Sequence, residues 1–183
     1  RESGSVEWYT PRHILALVEE LLGEINLDPA SNAGTPWVHA RRHFTQADDG
    51  LRQQWSGTVF LNPPWGKQGS PGPWVAKLLE EYASGRVTEA VCLLPARPNS
   101  VWMDSLRSHA RCFVRGRLRF GEAEGQAPFP VVLVYLGHRT QDFVNVFDSV
   151  GSCYAHVAPR ERGSQEAGVG AEDRVGRTAG SDG

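Results

Sequence analysis

The chain has 183 residues, a length that supports one domain with a real core. Hydrophobic content of 40% and charged content of 22% are those of a globular protein, and a formal net charge of -2 supplies no global basic field. There is no run of 18 apolar residues, no signal-peptide pattern, and neither a disulfide framework nor zinc spacing among Cys92, Cys112 and Cys153. The expectation is an intracellular, reducing compartment (cytoplasm, or nucleus in a eukaryotic host), no membrane association, no secretion and no metal. The chain starts at Arg1 without an initiator Met, as a piece of a longer protein would.

Residues 1–5 read as a loose end. Over residues 12–23, Ile14, Leu17, Val18, Leu21 and Leu22 recur at helical spacing. Pro11 suits the first turn of that helix and Gly23 its stop. Residues 25–29 read as a short strand ending in Asp28-Pro29. Residues 30–43 are turn-rich and give no element, and Asp48-Asp49-Gly50 is a turn signal. A second buried strand covers residues 58–61, a loop residues 71–73, and a helix residues 74–84. Residues 89–95 form a third strand stopped by Pro95. A short helix over 101–109, strands over 112–114 and 129–136, and a helix over 142–150 complete the pattern. Strands alternating with helices predict an α/β fold with a mostly parallel sheet covered by helices on both faces. After about Pro159, Gly, Ser, Ala, Glu and Arg dominate, and such a tail cannot bury enough surface to order itself. The domain is therefore drawn over residues 6–157, with 158–183 as a disordered tail.

Two strand ends carry chemistry. Asn62-Pro63-Pro64-Trp65 closes the apolar run Thr58-Val59-Phe60-Leu61. Proline cannot continue a ladder and holds its predecessor extended, which fixes Asn62 at a strand's carboxyl end. Open α/β sheets bind their ligands there. The Asn62 side-chain oxygen and the Pro63 carbonyl can accept both hydrogens of an amino group on a planar ring, and Trp65 can stack on that ring. Positioning and fixed dipoles would then carry most of a direct displacement onto the nitrogen. Asp28-Pro29 ends the neighbouring strand and faces the same cleft, although an aspartate there also suits a plain turn cap.

Several motifs occur in a joint order: Glu7-Trp8-Tyr9-Thr10-Pro11, Leu27-Asp28-Pro29-Ala30-Ser31-Asn32, Asp49-Gly50-Leu51 with Trp55, Asn62-Pro63-Pro64-Trp65-Gly66, Trp74-Val75-Lys77, Leu93-Leu94-Pro95-Ala96-Arg97 and Gly116-Arg117-Leu118-Arg119-Phe120. Through these, over roughly residues 6–150, the chain resembles the phage-type, Dam-like DNA N6-adenine methyltransferases. The resemblance implies a Rossmann-like S-adenosylmethionine methyltransferase fold and methyl transfer from that cofactor to adenine N6 in DNA. It implies a catalytic motif at Asn62, Pro63, Pro64 and Trp65. It assigns the cofactor to Asp28, Pro29, Ser31 and Asn32, to the upstream Trp8, Tyr9 and Thr10, and to Asp49 and Leu51 at the adenine end. The stretch from Asp28 to Phe60 is short for two strand–helix units, so the sheet is expected to be trimmed.

DNA is the expected partner, with Lys67, Arg97, Arg117 and Arg119 as candidate contacts. Arg115, Arg117 and Arg119 alternate along a stretch read as extended, although such a charge run also reads as a solvated face. From the residues alone, cytosine N4 offers the same local chemistry as adenine N6. Methylation of a protein glutamine amide and a catalytically inactive, DNA- or partner-binding relative stay open beside it.

Overall fold

Helix α1 (Arg12–Leu22) buries Ile14, Leu15, Val18, Leu21 and Leu22 on one face, and it stops at Gly23, whose N–H bonds back to the Glu19 carbonyl. The computed structural model describes residues 9–32, 34, 36–65, 69–119 and 129–157. In chain order follow β1 (Ile25–Asp28), β2 (Ala40–His43), a 3-10 turn (Gly50–Arg52), β3 (Gly57–Leu61), α2 (Pro71–Ala83), β4 (Val87–Pro95), α3 (Val101–Asp104), β5 (Ala110–Val114), β6 (Val131–Leu136), α4 (Thr140–Phe147) and β7 (Gly151–Tyr154). Helix α2 starts at Pro71, three residues before the predicted start. Pro71 lacks an N–H that a first turn would leave unpaired, and the Ser70 hydroxyl accepts from the Gly72 N–H at 3.3 Å.

The strands form one seven-stranded sheet in the order β2-β1-β3-β4-β6-β5-β7. The β2-β1-β3-β4 half is parallel, whereas β4 with β6, β6 with β5 and β5 with β7 pair antiparallel. The sheet is therefore mixed, which corrects the expectation of a mostly parallel one. A continuous apolar run such as Val131–Leu136 declares burial on both faces, and burial carries no strand direction. Strands β2 and β7 escaped the sequence reading because both are short edge strands. Their residues, ARRH and GSCY, carry no buried run.

Alternate residues of each strand feed two cores. Val91, Leu93, Leu133 and Tyr135 pack with residues of α1 and α4 on one face. Ala90, Cys92, Leu94, Val132 and Val134 pack with residues of α2 and with Met103 of α3 on the other. Full burial of each Leu or Val contributes about 1.5–3 kcal/mol, so both helical layers are held firmly.

Strands β1 to β5 share one direction, so all five end on one rim. From β1 the chain runs outward to β2, then returns across β1 to β3. The winding reverses between β1 and β3, and a crevice opens outside the carboxyl ends of two strands that diverge in this way. Asp28 ends β1, and Asn62 directly follows β3.

Candidate active site

A cavity of about 450 Å³ fills that crevice. Nine of the predicted site residues line it: Tyr9, Thr10, Asp28, Ser31, Asn32, Asp49, Asn62, Pro63 and Pro64. They come from four separate stretches, the segment before α1, the β1 end, the turn before the 3-10 helix and the β3 end. The lining also includes Trp37, Val38, Phe44 and Trp74, which supply apolar walls that the sequence reading missed. Trp74 belongs to the predicted helix and to the motif order without a site role, whereas Trp37, Val38 and Phe44 lie in stretches that show no periodicity.

Asp28 is 4% exposed. Burial pushes its carboxyl up from the ordinary 3.8 to about 6, against the Ala30 N–H, the neighbouring His43 and the Ser31 hydroxyl, which favour the charged form. The Ala30 N–H donates to Oδ1 at 3.2 Å. Ser31 lies close enough to act on that charge, yet its Oγ has no hydrogen bond of standard geometry among the described residues. Asp28 forms no ion pair among the described residues, although it lies opposite His43 on β2. The His43 ring is itself bonded to the Val38 carbonyl at 2.8 Å. Among the described residues, the cavity thus holds a desolvated carboxyl that no cation pairs.

Asn62 is oriented from the far end of the chain. Its Nδ2 donates to Thr10 Oγ1 at 3.1 Å. Trp37 Nε1 donates to the Thr10 carbonyl at 2.7 Å. The Trp37 ring lies 5.0 Å from Tyr9 and 3.8 Å below the Arg12 guanidinium, which also donates to the Trp37 carbonyl at 2.9 Å. An amide that donates through Nδ2 keeps Oδ1 as its acceptor.

The Asp49 wall depends on one glycine. A Cβ at Gly50 would collide with the Pro29 carbonyl oxygen, so only glycine lets the 3-10 turn press on the β1 exit. Asp49 itself adopts the left-handed conformation at φ 51° and pairs with Arg52 at 3.1 Å. Pro29 and Leu51, also predicted to meet the cofactor, are not among the residues that line the cavity.

The family model for DNA N-6-adenine-methyltransferase (Dam) matches residues 2–130, about two thirds of the chain. The chain belongs to that family. The chain is also similar to a curated protein of Escherichia phage T1, named DNA N-6-adenine-methyltransferase, at 28% identity over 105 residues. That match covers 56% of this chain and 41% of the phage protein, so the chain spans less than half the length of its relative.

In this Dam-family chain Trp65 is placed differently from the expectation of a ring offered to the substrate. It is 3% exposed and packs against Phe129 at 5.6 Å, within the core that includes α1. Two prolines in succession turn the chain inward after Asn62, so Trp65 anchors the motif from beneath. The exposed Arg97 lies over the other partner of that ring, 5.5 Å from Phe129. The arginine run also differs from the reading. Strand β5 ends at Val114, Gly116 turns at φ 68°, and the Arg115 guanidinium donates to the Asp148, Ser149 and Gly151 carbonyls. Arg115 is thereby tied into the fold. Arg117 and Arg119 are exposed and line a second groove with Pro11 and His13, next in sequence to Tyr9 and Thr10 of the main cavity. Trp8 and Lys67 lie outside the described residues. Among the described residues no helix is long and apolar enough to cross a membrane, and no three metal-ligating side chains gather.

Proposed function

We propose that this chain transfers a methyl group from S-adenosylmethionine to the exocyclic N6 amino group of adenine in DNA, on a Rossmann-like methyltransferase fold. The observation that carries the reading is the oriented Asn62 amide beside Asp28 at the winding reversal of the sheet. Membership of the Dam family and the name of the phage relative support the choice of adenine and of DNA.

The residues present fit the cofactor. It carries a cationic sulfonium, a cationic amino group and a purine. Among the described residues the cavity offers a buried carboxyl without a cation, a buried Ser31 hydroxyl, and apolar walls at Phe44 and Trp37. Its volume lies within the range of small-molecule sites. In this reading Asp28, Pro29, Ser31 and Asn32 hold the methionine end, with Trp8 and Tyr9 closing over it. Asp49 and Leu51 serve the adenine end. When bound, S-adenosylmethionine supplies an electrophilic methyl group.

The protein's own part is positional. Asn62 Oδ1 and the Pro63 carbonyl accept the two amino hydrogens of the target base. That holds the nitrogen lone pair out of the ring plane and stabilises positive charge as it develops on nitrogen. Asn62 is neutral and needs no titration. Pro64 and Trp65 fix the motif. The base must leave the helix stack to reach this cavity, at a cost of a few kcal/mol in a duplex. Lys67, Arg97, Arg117 and Arg119 contact the DNA backbone.

The test is incubation with tritiated S-adenosylmethionine and unmethylated DNA, followed by digestion and separation of nucleosides. Label in N6-methyldeoxyadenosine is expected. Label confined to N4-methyldeoxycytidine would move the target to cytosine. Cofactor binding without DNA label would move it to another macromolecule, and no cofactor binding would mark a binding-only relative.

A further inference from the structure

We infer that Thr10 is the positioning residue of this site: by receiving Asn62 Nδ2, its hydroxyl helps to hold the Asn62 amide with Oδ1 toward the target amino group. The inference rests on Asn62 acting as the acceptor. The two ends of an asparagine amide are nearly equal in size and opposite in hydrogen-bonding character. Turned one way, Asn62 offers an oxygen to an amino group. Turned the other way, it sets a donor against a donor, and the contact becomes repulsive. Sterics alone do not make that choice, and in the structure the Nδ2 end is the one that meets Thr10.

Thr10 is built for this. It is 2% exposed and its hydroxyl receives Asn62 Nδ2 across 52 residues of sequence. Three features hold the hydroxyl in place. Pro11 keeps the Thr10 backbone extended. The β-branched side chain has few rotamers. The Thr10 carbonyl is pinned by Trp37 Nε1 at 2.7 Å, with Trp37 itself clamped by Arg12. Tyr9 and Trp37, in ring contact at 5.0 Å, line the same cavity as Asn62. This assigns Thr10 a role through Asn62, where the sequence suggested a cofactor contact.

Methyl-transfer kinetics and calorimetric cofactor binding of Thr10→Val and Thr10→Ser separate the two roles. Thr10→Val keeps the shape and removes the hydroxyl. It should lower kcat by about 100-fold, the scale of a small misplacement at a reacting centre, with cofactor Kd within about threefold. Thr10→Ser should restore most of kcat. Wild-type kcat in Thr10→Val would overturn the inference. So would a loss confined to cofactor affinity, or a Thr10→Ser as impaired as Thr10→Val. If Thr10→Val does not fold, Trp37→Phe keeps the ring but frees the Thr10 carbonyl. A smaller fall in kcat is then expected, and an unchanged kcat would overturn the inference. A fully active Asn62→Ala enzyme would instead defeat the underlying reading of Asn62, whatever Thr10 does.

Discussion

The two rims of the sheet treat buried acid in opposite ways. At the amino rim, Glu81 is held by Lys77 at 2.9 Å and by Arg86, and Glu89 by Arg139 at 2.6 Å and by the Tyr135 hydroxyl. Burial alone would raise both carboxyls, yet these partners together hold them below their ordinary value. They also tie elements together: the Arg139 guanidinium reaches the Leu21 carbonyl at the end of α1. At the carboxyl rim, Asp28 is as deeply buried, has no such partner among the described residues, and is pushed up to about 6. An acid that is paired serves the fold. An acid buried without a cation weakens the unliganded fold and awaits a positive ligand, which is the pattern of a functional site.

The largest effect should come at the carboxyl rim and leave the fold alone. Asn62→Ala should reduce methyl transfer by about a thousandfold, roughly 4 kcal/mol of transition-state stabilisation. Its cofactor affinity should stay within about tenfold. Transfer at wild-type rate would refute the mechanism.

At the amino rim the expected loss is in stability and not in catalysis. Arg139→Leu strips Glu89 of its cation and should destabilise by about 3 kcal/mol, the low end for a broken buried pair because Arg139 is one-third exposed. Urea unfolding measures this. A loss below about 1 kcal/mol would mean that Glu89 is solvated on its own.

Asp28→Asn should do the reverse. The folded carboxyl is raised above its ordinary 3.8, so its stabilising contribution is present below about pH 4 and lost as the pH rises through about 6. Removing the charge should therefore stabilise the unliganded protein by up to about 3 kcal/mol at pH 8 and by little at pH 3. Equal unfolding midpoints for wild type and variant at pH 8 would show that Asp28 is not under this stress. The same titration predicts that wild-type cofactor affinity falls as the pH drops through about 6.

Much of this contrast was legible before the structure. Asp28 and Asn62 stood out because proline follows each at the end of an apolar run, and the existence of β1, β3 and β4 follows from those runs. The antiparallel half was not legible, because Val131 to Leu136 looks the same in either direction. The Trp37 wall lies in a stretch without periodicity, and its hydrogen bond to Thr10 spans 27 residues. The placement of Trp65 depends on Phe129, which is 64 positions later and has no sequence signal linking the two. Local chemistry reads from residue order, whereas long-range contacts that orient a side chain do not.

The most direct test of the central claim is calorimetric titration of S-adenosylmethionine into wild type and Asp28→Asn at pH 8. The account predicts clear binding by wild type and at least about tenfold weaker binding by the variant, about 1.4 kcal/mol or more. Equal affinity in the two proteins would contradict it.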